Sequence, residues 1–252
     1  MTQRRRSSKA NRSSTPSSAT GLNPDVLPQT ILIRRYDTHR LIPSKYSIAG
    51  DSVLTRIATN DTHLADIFDL DHATNDRLLA ENGLLPGIGV HELVFGVPYY
   101  RIVNAAFTHA NPLGSRFNGP ERGAWYAAFE IETAHAEIAF HKTTEYAEID
   151  RFDDSVTYDN FLADFSSDFH DLRGDDRFAD SLLPDTYISS QALALRLFEQ
   201  DSLGIIYPSV RHRDGTCIVC FRPTLVGNVR KRETYRFTWT GSPTPTIDLV
   251  RP

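Results

Sequence analysis

Three places in this chain carry side chains able to do chemistry. The first is Glu137, inside "ETAHAEIAFHKT", where apolar residues recur at helical spacing. At about 100° per residue, Ile131, Ala134 and Ile138 share one face, with Glu132, His135 and Lys142 as a polar stripe beside it. Glu137 belongs to neither, falling about 60° from Ala134 on one side and about 60° from Phe140 on the other. A carboxylate between small and aromatic neighbours is half buried, which costs free energy unless a partner or a ligand offsets it. A glutamate in the first half of a helix also gains from the helix dipole, so the pattern leaves a structural and a catalytic role open.

The second place is Arg101 in "VPYYRIV", which reads as a strand. An arginine among strand apolar residues is either an edge-strand solubiliser or a buried anion clamp. The third is "GIIYPSVR". A buried strand enters, Pro208 ends its ladder pairing, and Ser209 and Arg211 follow two apart, on one face if the strand continued. These polar groups suit an anion or a sugar.

Other chemistries are excluded by spacing. Cys217 and Cys220 lie in "TCIVCF", a strand pattern, so side chains three apart point to opposite faces and form neither a zinc site nor a redox pair. His91, His109, His135, His141 and His212 lack metal-ligand spacing and are read as surface or capping residues, so no metal is expected. No phosphate-cradling glycine loop occurs. Nothing approaches the roughly 20 apolar residues of a membrane span, and the basic N-terminus is not followed by the apolar core of a secretory signal. With two cysteines, a reducing, cytoplasmic setting is expected.

The formal charge of −5 conceals an asymmetry. Arg4, Arg5, Arg6, Lys9 and Arg12 give residues 1–22 a charge of +5, which leaves −10 on the remainder. A body that acidic is a poor general binder of nucleic acid. Any such contact would fall to the tail, whose serine-rich composition reads as a disordered basic arm.

These residues need elements to position them. Residues 23–95 read as a helical N-terminal region, with "PQTILIRRYD" as a short strand or extended entry and apolar spacing at Leu54, Ile57, Leu64, Ile67 and Leu70. Asp51 suits an N-cap and Gly83 a stop. Residues 96–252 form the catalytic unit. "AWYAAFE", "SVTYDNFLADF", "GIIYPSV", "TCIVCFRP" and "TYRFTWT" read as strands. The acidic run from Asp164 to Asp185 reads as a loop, and "SSQALALRLFEQ" as a helix capped by Ser189 or Ser190. Strands outnumber helices without βαβ alternation, so the fold class is α+β.

Taken in order, "YYRIV", "GSRFNGPERGAWYAAFEIETAHAE" and "YISSQALALRLFEQDSLGIIYPSVR" resemble the RES domain family. The family takes its name from an Arg, a Glu and a Ser and includes toxins of RES–Xre toxin–antitoxin pairs. The resemblance runs from about Pro98 to Pro223 and implies an ADP-ribosyltransferase-like fold, a split β-sheet core with helices around a cleft. It implies NAD as substrate, with no resident cofactor and phosphate as a possible co-substrate. Carried over position by position, Arg101 is the family arginine, Glu137 the glutamate and Ser209 the serine. Arg116 in "SRFN" and Tyr126 in "AWYAA" add a basic and an aromatic residue. Arg211 is a further candidate phosphate ligand or the partner in a structural ion pair. The segment before Arg101 is much longer than in compact toxins, which signals a different partner or regulation.

Those residue types suit scission of the nicotinamide–ribose bond, whose transition state resembles an oxocarbenium ion. Glu137 would stabilise the positive charge, Arg101 and Arg116 would fork onto the pyrophosphate, and Tyr126 would lie against nicotinamide. Ser209 would hydrogen-bond a ribose hydroxyl or a phosphate oxygen. The resemblance implies an NAD phosphorylase or glycohydrolase, the toxin of a pair neutralised by an Xre-type helix-turn-helix antitoxin. The alternatives are an ADP-ribosyltransferase acting on a protein and a non-catalytic binding protein.

Overall fold

The computed structural model describes residues 26–47 and 87–251. Seven strands, β1 (Gln29–Pro43), β2 (Trp125–Ala128), β3 (Asp153–Asp171), β4 (Gly204–Pro208), β5 (Thr216–Cys220), β6 (Gly227–Thr240) and β7 (Thr246–Val250), make one mixed sheet. Its order is β1-β2-β5-β4-β3-β6-β7, with β1 pairing β3 as well. Helices α1 (Ser44–Ser47), α2 (Tyr100–Thr108), α3 (Ile131–Glu148) and α4 (Ile188–Glu199) surround it. The α+β class is therefore the one the chain adopts. No described helix is long and apolar enough to cross a membrane.

Strict alternation explains why β4 and β5 sit in the middle. Ile206, Ile218 and Cys220 face a core with Phe107 of α2 and Phe161, Phe165 and Phe169 of β3. Ile205, Tyr207, Cys217 and Val219 face the opposite side, with Leu193 and Leu197 of α4. Side chains on successive strand residues point oppositely, and here both faces are covered. Cys217 and Cys220 lie on different faces, as their spacing requires.

Because β1 pairs β2 as well as β3, the strands β1, β2, β5, β4 and β3 close a ring. The seam between β1 and β2 has a single rung, His39 opposite Ala128. Two arginines of β1 supply the missing bonds. Arg35 Nη2 donates to the Phe129 carbonyl at 2.6 Å and Arg40 Nη1 to the Tyr126 carbonyl at 2.9 Å.

Four expectations are corrected. "YYRIV" is helix, not strand: Ile102, Val103 and Phe107 are buried together at helical spacing, and Tyr99, in the left-handed region, turns the chain into α2. The strand read at "PQTILIRRYD" is longer than expected: it runs from Gln29 to Pro43, inside a region read as helical beyond it, and pairs along β3. The acidic run is not a loop throughout: β3 continues to Asp171, burying Phe165 and Phe169 between its carboxylates, and a 3₁₀ segment covers Asp176–Leu182. Helix α4 starts after Tyr187 with no side-chain cap, and Ser190 Oγ donates back to the Tyr187 carbonyl at 3.0 Å. The basic tail of residues 1–22 and the helical spacing from Asp51 to Gly83 lie outside the described residues.

Candidate active site

Helix α3 starts where β2 ends, and its first half packs Ala134 with Ala128 of β2 and Leu41 of β1. Glu130 anchors that start. Its Oε2 accepts from the backbone N–H of Thr216 on β5 at 3.0 Å and from the Thr133 hydroxyl at 2.8 Å. Two turns along, Glu137 is partly buried and lines a cavity of about 400 Å³. That falls within the range of about 300–1,000 Å³ usual for small-molecule sites. Arg116, Tyr126, Tyr207 and Cys217 line it too.

Ser209 meets Glu137 but stands behind it. Its hydroxyl donates to Glu137 Oε1 at 2.7 Å and accepts from the backbone N–H of Arg211 at 3.1 Å and of His212 at 3.0 Å. A serine hydroxyl has one proton and two lone pairs, and all three are used within the protein. Ser209 therefore orients the carboxylate and contributes nothing to the cavity wall. The turn that delivers it needs Gly215, where a Cβ would come within 2.4 Å of the Thr133 hydroxyl. His212 Nδ1 closes the same network on Thr133 Oγ1 at 2.9 Å.

Cys217, opposite Tyr207 on the β4–β5 ladder, also points at Glu137, its Sγ 3.7 Å from the same Oε1. Burial, then the neighbouring carboxylate, push its thiol well above the ordinary range, so it stays a protonated donor. Both donors engage Oε1. Among the described residues Oε2 has no donor, and it is the oxygen left for a ligand.

The other wall is cationic. Gly114, at φ +71, makes the turn into "SRFN". Arg116 leaves that turn nearly buried, donates to the Leu183 carbonyl at 2.8 Å, and holds its guanidinium 4.9 Å from the centre of the Tyr187 ring. Tyr126 fixes the turn. Its hydroxyl accepts from the Phe117 N–H at 2.9 Å and donates to Asn118 Oδ1 at 2.8 Å. Burial raises its pKa well beyond the ordinary phenol value, so it is a neutral wall and a brace.

Two expected site residues stand elsewhere. Arg101 lies on α2, its Nε donating to the Tyr100 hydroxyl at 3.3 Å, and contributes no atom to the cavity wall. The strand reading misplaced it: on a helix, burial of Ile102, Val103 and Phe107 directs it away from β2. Arg211 Nη2 donates to the Pro184 carbonyl at 2.5 Å, with the guanidinium 3.3 Å over the Phe140 ring. It braces the loop before α4 against α3 and does not line the cavity.

The sequence reading missed Arg40, His141, Tyr187 and Tyr207, all in the cavity wall. His141 follows Glu137 by four residues, a spacing that puts both on one helix face. Desolvation lowers its pKa, against the opposing pull of Glu137. Tyr207 directly precedes the proline of "GIIYPSVR".

Comparison with known proteins places the chain. The RES domain family model matches residues 93–240. No curated protein sequence matches it significantly. Among solved structures, a chain of the M. tuberculosis MbcT–MbcA toxin–antitoxin complex is 12% identical, with a TM-score of 0.45, over 83% of this chain and 87% of that one.

Proposed function

This chain belongs to the RES domain family, and we propose that it degrades NAD by cleaving the bond between nicotinamide and ribose. The observation that carries the reading is Glu137, held by Ser209 at 2.7 Å in the wall of a cavity it shares with the nearly buried Arg116. As the bond to nicotinamide breaks, positive charge develops at the ribose, and a fixed carboxylate stabilises it. Donors on Oε1 keep the carboxylate aimed while Oε2 faces the reacting carbon. Arg116 supplies charge for the pyrophosphate, and the aromatic walls of Tyr126 and Tyr207 flank the flat rings.

The bond from ribose C1 to the nicotinamide nitrogen breaks with its electron pair going to nicotinamide. Water or inorganic phosphate then forms the new bond to C1 and, for water, gives up a proton. The products are nicotinamide and either ADP-ribose or its 1-phosphate. No metal or redox partner enters this balance. An enzyme that drains NAD halts growth, which fits the toxin of a cytoplasmic toxin–antitoxin pair restrained by an Xre-type antitoxin.

The test is product identification. Purified protein is incubated with adenine-labelled NAD, with and without phosphate, and then with cell lysate. Release of nicotinamide with free ADP-ribose or its phosphate is expected. A labelled protein band in place of those products moves the reading to ADP-ribosyl transfer, and intact NAD under all three conditions overturns it.

A further inference from the structure

The turn that carries Ser209 is clamped to α3 at two levels, by Glu130 at the helix start and by Glu137 two turns along. At the first clamp, Glu130 Oε2 accepts from the backbone N–H of Thr216 at 3.0 Å and from the Thr133 hydroxyl at 2.8 Å. Thr133 is fully buried, and its Oγ1 stands 2.9 Å from His212 Nδ1. At the second clamp, the Ser209 hydroxyl donates to Glu137 Oε1 at 2.7 Å. His212 belongs to both. Its ring meets Thr133, and its backbone N–H donates to Ser209 Oγ at 3.0 Å.

The donors available set the direction of each bond. A threonine hydroxyl has one proton, and here it goes to Glu130. His212 Nδ1 must then carry a proton and donate it to a Thr133 lone pair. An imidazolium makes the same bond, so the link holds in both charge states of the ring. The Ser209 lone pairs are filled by the amides of Arg211 and His212, which leaves its proton for Glu137. Glu130, Thr133, His212, Ser209 and Glu137 thus form one chain of contacts, from carboxylate to carboxylate. The turn also closes on itself: Ser209 N–H donates to the Gly215 carbonyl at 2.8 Å and Gly215 N–H to the His212 carbonyl at 3.1 Å. A Cβ at Gly215 would lie 2.4 Å from the Thr133 hydroxyl and 2.9 Å from His212 Nδ1, so the backbone there is seated on the Thr133–His212 bond.

The other donor to Glu137, Cys217, stands at 3.7 Å and is a weak one. The aim of the carboxylate therefore depends chiefly on Ser209, and the place of Ser209 depends on His212. We propose that Thr133 and His212 are positioning residues of the Glu137 site: their hydrogen bond fixes the turn from Ser209 to Gly215 so that Ser209 donates to Glu137. Neither lines the cavity, so both act through Ser209 and not on the ligand. The inference rests on the NAD-cleaving reading for the activity it predicts, and on the hydrogen bonds alone for the rest.

A double-mutant cycle on the full chain, read by nicotinamide release and by hydrogen exchange, decides the matter. Thr133→Val, which keeps the shape and removes the hydroxyl, is expected to lower kcat about 10- to 100-fold, the scale of a misplaced group, with KM unchanged. Thr133→Ser, which restores the hydroxyl, should keep wild-type kcat. Added to Ser209→Ala, Thr133→Val should cost nothing further, because the residue it acts through is already gone. Hydrogen exchange reads the same link without substrate: the amides of Arg211 and His212 should exchange about tenfold faster in Thr133→Val, while those of the β4–β5 ladder hold. Should Thr133→Val not fold, His212→Phe, which keeps a ring and the backbone amide and loses the donor, carries the same expectations. Unchanged exchange at both amides, a fall in kcat that adds in full to that of Ser209→Ala, or a loss that Thr133→Ser shares overturns the proposal. Faster exchange at both amides in a protein whose wild type leaves NAD intact refutes only the proposed cleavage.

Discussion

Two pairs of arginines in this protein rest on aromatic rings, and they differ in what else they touch. Arg122 and Arg222 lie over Phe198 at 4.8 and 4.7 Å, and both pair with Glu92. Arg122 forks onto that carboxylate at 2.9 and 2.8 Å. Arg40 and Arg116 lie over Trp125 and Tyr187 at matching distances and meet carbonyls only. The first pair is neutralised within the fold and ties the segment before α2 to the end of β5. The second is built in the same way but left electrically open, and it faces a cavity with Glu137. What sets the second pair apart is the lack of an internal carboxylate partner together with a place in the cavity wall.

The contrast can be broken by exchanging the readouts. Arg116→Met should lower kcat/KM for NAD about 100-fold, the scale of a lost charge-stabilising donor, with a stability cost of about 1 kcal/mol for its carbonyl bonds. Kinetics beside thermal melting checks both numbers. Equal activity per folded molecule would remove Arg116 from the site.

Glu92→Gln should behave in the opposite way, leaving activity per folded molecule unchanged and costing about 2 kcal/mol of stability. The hydrogen bond from Arg122 holds Glu92 down at about 2 from its ordinary 4.5. A depressed carboxylate contributes stability above its unfolded pKa and loses it as pH falls through the folded one. The gap between wild type and variant in urea midpoint should therefore be full at pH 7 and shrink between about pH 4.5 and 2.

A smaller effect sharpens the same comparison from the neutral side. Burial lowers the pKa of His39, His135 and His141 below 6.5. In that range the unfolded chain binds more protons than the folded one. Urea midpoints should decline as pH drops from 7 to 5, and His141→Gln, which removes one of the three groups, should flatten the decline.

The parts of the fold that could be read in the sequence are those where periodicity and turn chemistry agree. The four apolar residues of β2, the alternation through β4 and β5 and the helical spacing of α3 all point one way, and with them Glu137, Tyr126 and the turn carrying Ser209. "YYRIV" reads as a strand yet is helix, because apolar residues on both sides of an arginine, over only five positions, fit a strand or one helical turn equally well. The acidic stretch hid its own signal: Phe169 continues the buried face of Phe161, Ala163 and Phe165, but the aspartates on either side of it read as solvated loop. Arg40 was invisible for a different reason. Nothing local in "DTHRLIP" marks a cavity residue, and its place in the wall comes from long-range pairing of β1 with β3 and β2. The position of Ser209 behind Glu137 is likewise set by tertiary contact, its hydroxyl bonding Glu137 and two backbone amides.

The central claim is that the carboxylate of Glu137 drives loss of nicotinamide from NAD. Nicotinamide release should be followed for wild type and Glu137→Gln at equal folded concentration, in phosphate and in phosphate-free buffer. The account predicts release by the wild type and a fall of at least about 1,000-fold in the variant, with an unchanged melting profile. Release that survives the substitution, or a wild type that leaves NAD whole in both buffers, contradicts it.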